Sequence, residues 1–331
     1  MIKVSVLVPI YGVEKFIERC ARSLMEQTYN DIEYVFVDDC SPDNSVQILE
    51  TVLAQYNRPS VKVLHNRENI GIAGTRLAAL EASTGDYVLY VDSDDYIEKT
   101  AVSALVEEVV RTNADIVAMD SYFEWNNSKK VYQGAWDADS VTYSKYLLSG
   151  RTLPSLWAHL IRRNLFFDNS IFFVPGQNVG EDYSVLPRLC YYANRISRLE
   201  SPLYHYMQTN VNSYTKNVSD KKIEDIYRAT LILSDFFSQK EGFAESLNAG
   251  MWLKKVDLMM EADRRQYNLI DRIPTRLPVE VCAMTPFQRM ASFFIGKKMW
   301  LCLRVYCLLF HCLFMLIQLS KGRFCLLKGK E

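Results

Sequence analysis

The stretch YVLYVDSD, at residues 87–94, decides the fold class of this chain of 331 residues. Five apolar or aromatic residues run directly into Asp92, Ser93 and Asp94, and a Gly-Asp pair precedes them. A short apolar run between turn residues is typical of a buried parallel strand. Its carboxylates then stand where the strand leaves the sheet, which in open α/β sheets is where ligands bind.

The two outer carboxylates of this stretch suit a divalent cation. Side chains alternate along an extended backbone, so Asp92 and Asp94 point to the same side. Mg²⁺ or Mn²⁺ prefers oxygen ligands and takes the rest of its shell from water and substrate phosphates. A simple polar turn is the alternative, since Asp and Ser are common in turns. Three aspartates within four positions, Asp95 included, favour the metal site.

Strand and helix patterns alternate from residue 3 to about residue 120. Helices separate five predicted apolar strands, at 4–8, 32–37, 61–64, 87–91 and 116–119. This alternation predicts βαβ units and a mostly parallel, Rossmann-like α/β sheet flanked by helices. We expect right-handed crossovers between the strands.

The pattern becomes more helical towards the C-terminus. After a loop or hairpin, we predict a mostly helical stretch at 143–163, a helix from Gly180 to Ala193, an extended segment at 196–206 and amphipathic helices at 221–237 and 243–261. The expected division is therefore an α/β domain over residues 1–215, which carries the acidic strand ends, and a helical C-terminal region over residues 216–331.

Composition narrows the class of protein. Hydrophobic residues make up 49% of the chain, which permits a sizeable core and argues against global disorder. Lys and Arg number 38 against 39 Asp and Glu, which argues against a nucleic-acid partner for the whole chain. Eight cysteines without a CxxC pair indicate a reducing compartment. With no secretory leader evident, we expect a cytoplasmic protein.

An apolar segment at 299–319 is interrupted by Arg304, His311 and Gln318 and is flanked by lysines and an arginine. A central Arg or His is costly in a membrane-spanning helix. A basic-flanked apolar helix fits an interfacial helix on anionic lipid. Packing onto the protein's own core, or an oligomer contact, is the alternative. We expect peripheral contact through residues 297–331 with the inner face of the plasma membrane.

Further candidate ligands follow the first two strands. Asp38 and Asp39 end the second strand, and one of them could accept a hydrogen bond from the imide of a uracil or thymine ring. A cap for the helix beginning near Asp43 is the alternative. Pro9 and Tyr11 leave the first strand, where the Tyr ring could stack on a base or pack locally.

The segment around Gly71 opens a helix whose N-terminus faces the same edge of the sheet. Helix N-termini attract phosphate groups. Arg76, in the first turns of this helix, could bind phosphate or form an ion pair with Asp38 or Asp94. The structural ion pair is slightly favoured.

Together these motifs resemble glycosyltransferase family 2, of the bacterial cell-surface polysaccharide type. They occur in order as VSVLVPIY at 4–11, VDDCSPDNS at 37–45, NIG at 69–71 and VDSDD at 91–95. The resemblance implies the GT-A fold, a DxD metal site at Asp92 and Asp94, and nucleotide contacts. These contacts would come from Pro9, Tyr11, Asp38, Asp39, Gly71, Arg76, Asp92 and Ser93. The family usually has Asn at position 12 and Gly at position 40, so Gly12 and Cys40 depart from its pattern.

The resemblance also implies an inverting displacement with an acidic general base at a helix start. Asp182 is the candidate base, with Glu181 as its orienting neighbour; an acidic helix N-terminus without catalytic role is the alternative. His205 is a candidate third metal ligand, which would favour Mn²⁺ over Mg²⁺, or a structural histidine. Trp157 could bind an acceptor sugar or pack in the core.

The expected function is transfer of a hexose or N-acetylhexosamine from a nucleotide diphosphate donor, a UDP-sugar by preference, to a glycan or lipid-linked acceptor. A sugar-phosphate nucleotidyltransferase would need a Gly-rich basic loop after the first strand, which PIYGVE at 9–14 lacks. A non-catalytic nucleotide-sugar-binding or membrane-docking module is the other alternative.

Overall fold

A single mixed sheet organises the first 210 residues. The computed structural model describes residues 1–58, 60–134, 138–210, 218–276 and 284–309. The sheet comprises β1 (Val4–Ile10), β2 (Ile32–Asp38), β3 (Val61–His65), β4 (Tyr87–Tyr90), β5 (Tyr96–Ile97), β6 (Ile116–Trp125), β7 (Ser128–Tyr132), β8 (His159–Arg162) and β9 (Ile196–Met207). Its order is β3-β2-β1-β4-β8-β6-β9-β5, with β7 paired to β6.

The directions of the strands decide which edge of the sheet carries their carboxyl ends. Strands β3, β2, β1 and β4 pair in parallel, as do β6 and β9. Strands β5, β7 and β8 pair antiparallel with their neighbours. The predicted α/β architecture is confirmed, and the carboxyl ends of β2, β1 and β4 lie side by side at one edge.

The prediction of helix across 143–163 is wrong at its end. Strand β8, His159–Arg162, fits between β4 and β6 and bonds antiparallel to both. Its four residues are too few to show a strand period, and their conformation is set by the two neighbouring strands.

Helices cover both faces of the sheet. They are α1 (Ile17–Met25), α2 (Ser45–Leu53), α3 (Gly71–Ala82), α4 (Ala101–Thr112), α5 (Ser140–Ser149), α6 (Asn164–Asp168) and α7 (Glu181–Tyr192). Alternation along β1 explains the layers, because Val6 and Val8 face the core with α1, α2 and α4. Leu7 faces the opposite core with α3, α5 and α7.

The C-terminal region is helical, as predicted. It contains α8 (Asp220–Phe237), α9 (Ala244–Glu261), α10 (Tyr267–Asp271) and α11 (Pro286–Gly296), and residues 300–309 are again helical. It joins the sheet domain through a third core that contains Leu148 of α5 and Tyr183 of α7. Gly250 of α9 makes this contact close, since a Cβ there would overlap the carbonyl oxygen of Leu148.

The apolar segment predicted at 299–319 is covered by the structure only as far as residue 309, and residues 310–319 lie outside the described ranges. Over those ranges no helix has both the length and the apolar character needed to cross a bilayer.

Candidate active site

A cavity of about 650 Å³ lies at the carboxyl ends of β1, β2 and β4. Most of the residues singled out in the sequence line it: Pro9, Tyr11, Asp39, Gly71, Arg76, Asp92, Ser93, Asp94, Glu181 and Asp182. Strand β1 is flanked by β2 on one side and β4 on the other, so chain segments diverge here and leave a crevice. The structure therefore brings the predicted metal ligands Asp92 and Asp94, the predicted catalytic pair Glu181 and Asp182, and Tyr11 into one pocket.

Arg76 connects Asp92, the first aspartate of the DxD stretch, to the predicted base. Its Nη2 donates to Asp92 Oδ1 at 2.8 Å, and its Nη1 donates to Glu181 Oε1 at 2.7 Å and to Asp182 Oδ1. The Arg76 side chain is 4% exposed. The ion pair expected for Arg76 thus forms with these carboxylates, rather than with Asp38 or Asp94.

The charges in this cluster are unbalanced. One guanidinium faces three carboxylates, and the charges of Asp182, Asp92 and Glu181 outweigh the effect of burial and raise the pKa of Arg76. Burial raises the pKa of both Glu181 and Asp182, more than the Arg76 charge lowers it. A carboxylate with a raised pKa accepts a proton more readily, which a general base requires.

Asp182 is held from two sides. Besides its contact with Arg76, its Oδ2 accepts a hydrogen bond from the backbone N–H of Leu156 at 3.1 Å. Leu156 stands in the short 3₁₀ turn before β8, next to Trp157. The orientation of Asp182 is therefore set by α3 and by the segment that leads into the middle of the sheet.

Asp94 and Asp95 differ in role although they are adjacent. Asp94 lines the cavity, its Oδ2 accepts from Asn210 at 2.8 Å, and burial together with the charge of Asp92 raises its pKa. Asp95 is fully buried and accepts hydrogen bonds from the Tyr204 hydroxyl and the Met207 backbone N–H. Asp95 thus attaches the motif to β9, and Asp94 faces the ligand space.

Only one of the two aspartates that end β2 reaches the cavity. Asp39 lines it, with Oδ1 accepting from the Ile70 N–H and Oδ2 from the Gly71 N–H, each at 2.9 Å. Asp39 therefore caps the N-terminus of α3. Its carboxylate accepts hydrogen bonds from the same backbone amides that the sequence predicted would bind a phosphate group. Asp38 lies outside the cavity lining and contacts the Ser41 N–H and His65.

His205 does not join the predicted metal ligands. It is 2% exposed, its Nδ1 lies 2.9 Å from Glu124 and its Nε2 lies 2.9 Å from Glu98. Its ring stacks on Tyr96 at 4.0 Å, away from the cavity. Alternation along β9 gives the reason, because Tyr204 and Tyr206 point to the cavity side and the residue between them points away.

Trp157 packs among other aromatic rings and also lines the cavity. It lines the cavity, yet it is only 5% exposed and stacks on Tyr204 and Tyr206, with ring centroids at 4.5 and 5.2 Å. Tyr206 lines the cavity as well. The two rings form an aromatic wall beside Asp182.

Several other lining residues had not been assigned from the sequence: Thr75, Asn178, Tyr206 and Asn210. The alternating YHYM pattern at 204–207 was a usable signal for Tyr206. Asn178 and Asn210 stand in loops, where a single amide carries no periodicity that would reveal its direction.

The two departures from the family pattern occupy left-handed backbone. Gly12 has φ +66°, a conformation that Gly and Asn both adopt readily. Cys40 has φ +60°, so the strain expected for a non-glycine residue at this turn is present. Gly12 lines the cavity through its backbone, and Cys40 is not among the lining residues.

The mixed sheet flanked by helices has the GT-A fold, and comparison with solved structures agrees. Staphylococcus aureus TarS 1–349, solved with UDP-GlcNAc, superposes with a TM-score of 0.70 at 22% identity, covering 93% of this chain and 91% of that one. A Pyrobaculum calidifontis mannosyltransferase, PcManGT, solved with GDP-Man and Mn²⁺, has a TM-score of 0.56 at 14% identity, covering 93% and 85%.

Residues 5–172 match the family model described as glycosyl transferase family 2, and the chain belongs to that family. It is 30% identical over 256 residues to the uncharacterized glycosyltransferase EpsJ of Bacillus subtilis, covering 74% of this chain and 73% of that relative. It is 34% identical over 212 residues to the poly(ribitol-phosphate) β-N-acetylglucosaminyltransferase TarS of S. aureus, covering 62% of this chain. The match spans only 35% of TarS.

Proposed function

We propose that this glycosyltransferase is an inverting, metal-dependent enzyme that moves a sugar from a UDP-sugar to a hydroxyl of a glycan or lipid-linked acceptor. The observation that carries the proposal is the position of Arg76, which bonds both Asp92 of the DxD stretch and the Glu181–Asp182 pair inside one cavity. The UDP-GlcNAc complex of TarS supports the choice of donor.

The residues present fit a divalent cation. Asp92 and Asp94 commit one oxygen each to a described neighbour, Arg76 and Asn210 respectively, and each has a second oxygen for coordination. Among the described residues no group of three or more His, Cys, Asp or Glu side chains is arranged around a common metal position. Two carboxylates with the remaining ligands from water and diphosphate suit Mg²⁺ or Mn²⁺. When bound, the cation would neutralise charge on the diphosphate.

Asp39, Tyr11 and Pro9 are proposed to bind the nucleotide. Three donors already bond Asp39, the backbone amides of Ile70 and Gly71 and the side-chain amide of Asn66, and an ionised carboxylate offers about four acceptor sites. It can therefore accept the uracil imide N–H as well. Tyr11 is 43% exposed at the cavity mouth, which leaves its ring face available for stacking on the base.

Asp182 is proposed to take the acceptor proton. The acceptor oxygen attacks the anomeric carbon as the bond from that carbon to the diphosphate oxygen breaks, and UDP departs with the bonding electron pair. The hydroxyl proton passes to a carboxylate oxygen of Asp182. Attack opposite the leaving group inverts the anomeric configuration. Glu181 and Arg76 keep Asp182 in place.

The aromatic wall of Trp157 and Tyr206 is proposed to bind the acceptor. The apolar faces of sugar rings pack on aromatic rings, and this wall borders Asp182 within the same cavity. Named relatives include TarS, a poly(ribitol-phosphate) β-N-acetylglucosaminyltransferase. That name supports a polymeric acceptor, and the process we propose is cell-surface polysaccharide synthesis.

We also propose that the C-terminal region attaches to an anionic membrane surface, consistent with a cytoplasmic enzyme on the inner face of the plasma membrane. In helix 300–309 the outer positions Leu301, Val305, Leu308 and Leu309 are 77, 49, 62 and 65% exposed. Leu303, on the opposite side, is fully buried in the third core. An exposed apolar stripe of this kind suits the headgroup boundary of a bilayer.

The charge of this region is complementary to anionic lipid. From residue 284 to residue 330 the sequence contains eight Lys or Arg residues and neither Asp nor Glu. Basic side chains near a membrane surface each contribute about 1 kcal/mol of attraction to anionic lipid. A bilayer therefore accounts for both the apolar stripe and the cations around it.

A nucleotide-sugar screen tests the proposed activity. Thermal unfolding is followed with UDP-, GDP- and dTDP-sugars, with Mn²⁺ and with EDTA, and release of the nucleotide is measured with glycan acceptors. We expect stabilisation by a UDP-sugar with Mn²⁺ and metal-dependent release of UDP, since a ligand that binds the native state raises its stability. Stabilisation without turnover on any acceptor would favour the non-catalytic binding module.

A further inference from the structure

The loop at residues 176–180, which leads into Glu181 and Asp182, is fixed by the C-terminal helical region. The backbone N–H of Asn178 donates to Asp225 Oδ2 of α8 at 2.9 Å. Lys221, one turn earlier on α8, donates from Nζ to the carbonyl oxygen of Gly176 at 2.6 Å. Both bonds join α8 to the backbone just ahead of the proposed catalytic pair.

Asp225 is a buried carboxylate with its charge compensated locally. Its side chain is fully buried, and its Oδ1 accepts from Lys221 Nζ at 2.5 Å. A buried charge is costly unless it is paired and hydrogen-bonded. The pairing with Lys221 and the amide of Asn178 satisfies that requirement, so the loop backbone is part of what keeps Asp225 in its position.

The residue next to Glu181 also packs directly on α8. Gly180 has φ +78°, and a Cβ built on it would lie 3.4 Å from the Cβ of Ala229 and 3.8 Å from Cγ1 of Ile226. Glycine is suited to this position by its left-handed backbone and by the close approach of α8. The start of α7 is thus set against α8 immediately before the two acidic residues.

The same loop forms part of the cavity wall. Asn178 lines the cavity, and its amide lies against Gly71 at the start of α3, where a Cβ would overlap the amide oxygen. Glu181 and Asp182 follow at once and reach Arg76, also on α3. A displacement of the loop would move Asn178 and Asp182 together.

We propose that Asp225 is a positioning residue of the transferase reaction, acting through the loop at 176–180 to set Asp182 and Asn178 against α3. The inference rests on the proposed role of Asp182 as general base. Residue 225 lies beyond the segment that matches the family model, 5–172. The C-terminal helices therefore complete the active site as well as contributing a core.

Removing the Asp225 carboxylate should reduce turnover with little change in donor binding. Asp225→Ala leaves the Asn178 N–H and Lys221 without their shared acceptor. A misplacement of a catalytic group by 1 Å can cost on the order of 10²-fold in rate. We expect kcat to fall by about that factor, with a donor KM within about threefold of native.

Three further variants separate positioning from general stability. Asp225→Asn keeps an acceptor for the Asn178 N–H and should restore kcat to within about tenfold of native. Lys221→Met, at a half-exposed residue, removes the bond to Gly176 and provides a second perturbation if Asp225→Ala does not fold. Glu224→Gln removes a carboxylate of α8 that pairs instead with Arg272, and should behave as native.

Hydrogen exchange at the Asn178 amide gives a readout independent of activity. Exchange should accelerate in Asp225→Ala and in Lys221→Met, and stay native in Glu224→Gln.

Accelerated exchange with native kcat in Asp225→Ala and Lys221→Met would overturn the inference, as would an equal loss of kcat in Glu224→Gln. Native turnover in Asp182→Asn would overturn both the proposed function and this inference. If Asp182→Asn lost turnover while Asp225→Ala kept native turnover, the inference would be overturned and the proposed function would stand.

Discussion

Arg76 Nη2 donates to Asp92 Oδ1 at 2.8 Å, which joins the middle of α3 to the end of β4. Because the same guanidinium bonds Glu181 and Asp182, the aspartate proposed to hold the metal and the aspartate proposed as general base share one positively charged partner. Three carboxylates around a single buried positive charge leave excess negative charge. A cation at Asp92 and Asp94 would reduce that excess.

Asp182→Asn should stop transfer while leaving donor affinity nearly native. The amide keeps the size of the carboxylate and can accept from one of its two donors, Arg76 or the Leu156 N–H, but it cannot take the acceptor proton. General base catalysis contributes about 10²–10⁴-fold. Turnover and donor binding are measured separately by UDP release and by calorimetry. Asp168→Asn, at an exposed acid of α6, is the matched control. An equal loss of donor affinity and of rate would assign Asp182 a structural role.

Asp94→Asn should abolish the stabilisation of the protein by Mn²⁺ in the presence of UDP. The amide retains a contact with Asn210 but loses the negative charge that a divalent cation requires, and metal ions contribute several kcal/mol of transition-state stabilisation, or on the order of 10²-fold or more in rate. The measurement is thermal unfolding with UDP, titrated with Mn²⁺. Asp86→Asn, at the amino end of the same strand, should keep the Mn²⁺ response. A native response in Asp94→Asn would remove this aspartate from the site.

The sequence placed the acidic groups at the correct edge of the sheet wherever they directly follow a strand. Asp92 and Asp94 both line the cavity, but strand alternation is not the reason: Ser93 lines it too, and the segment is a turn closed by a hydrogen bond from the Asp95 N–H to the Asp92 carbonyl oxygen at 3.0 Å. Alternation could have separated Asp38 from Asp39, but the side that faces the cavity depends on how β2 pairs with β1. That pairing is a long-range contact which a single sequence does not report.

The rest of the site depends on packing between distant segments. His205 stood in a suitable motif, yet Glu98 and Glu124, more than eighty positions away, hold its ring nitrogens. Strand β8 is defined by its two neighbours. Asp225 is one of several acids on an amphipathic helix, and only the contact with Asn178 distinguishes it.

Glu33→Gln should destabilise the protein at neutral pH. Glu33 is 2% exposed, and burial disfavours its charge, but hydrogen bonds from Ser5 and Thr84 and the Lys3 charge lower its pKa from 4.5 to about 2. A lowered folded-state pKa gives stabilisation that is complete above pH 4.5 and is lost as the pH falls towards 2. A shift of this size corresponds to about 3 kcal/mol at pH 7.

Urea unfolding at pH 7 and pH 3 measures this effect. The difference between native protein and Glu33→Gln should shrink at the lower pH, where the Glu33 carboxyl is largely protonated in the unfolded chain although it stays ionised in the folded protein. Glu18→Gln is the control, because the Glu18–Arg22 pair is exposed and such pairs contribute about 0–1 kcal/mol. A difference for Glu33→Gln that is independent of pH would show that lost hydrogen bonds, and not charge, account for it.

Cys40→Gly should stabilise the protein. A non-glycine residue in left-handed backbone costs about 1–2 kcal/mol, and the greater entropy of an unfolded glycine offsets part of the gain. The weak bond from Cys40 Sγ to the Asn66 carbonyl is also lost. We expect a net gain of about 0.5–1 kcal/mol by urea unfolding. Asn113→Gly, at φ +52°, should gain less because Asn tolerates this conformation; an equal gain would contradict strain at Cys40.

Leu308→Glu should weaken binding to anionic vesicles. The side chain is 62% exposed in the apolar stripe of helix 300–309, so a carboxylate there both removes apolar contact and opposes lipid charge. Co-sedimentation with phosphatidylglycerol vesicles should show at least about a tenfold loss of affinity, given about 1 kcal/mol from charge and a similar amount or more from apolar area. Leu231→Glu, at a 43% exposed leucine of α8, introduces the same charge elsewhere and should bind as native. Equal weakening in both variants would indicate a net-charge effect, and no weakening in either would assign the stripe to another partner.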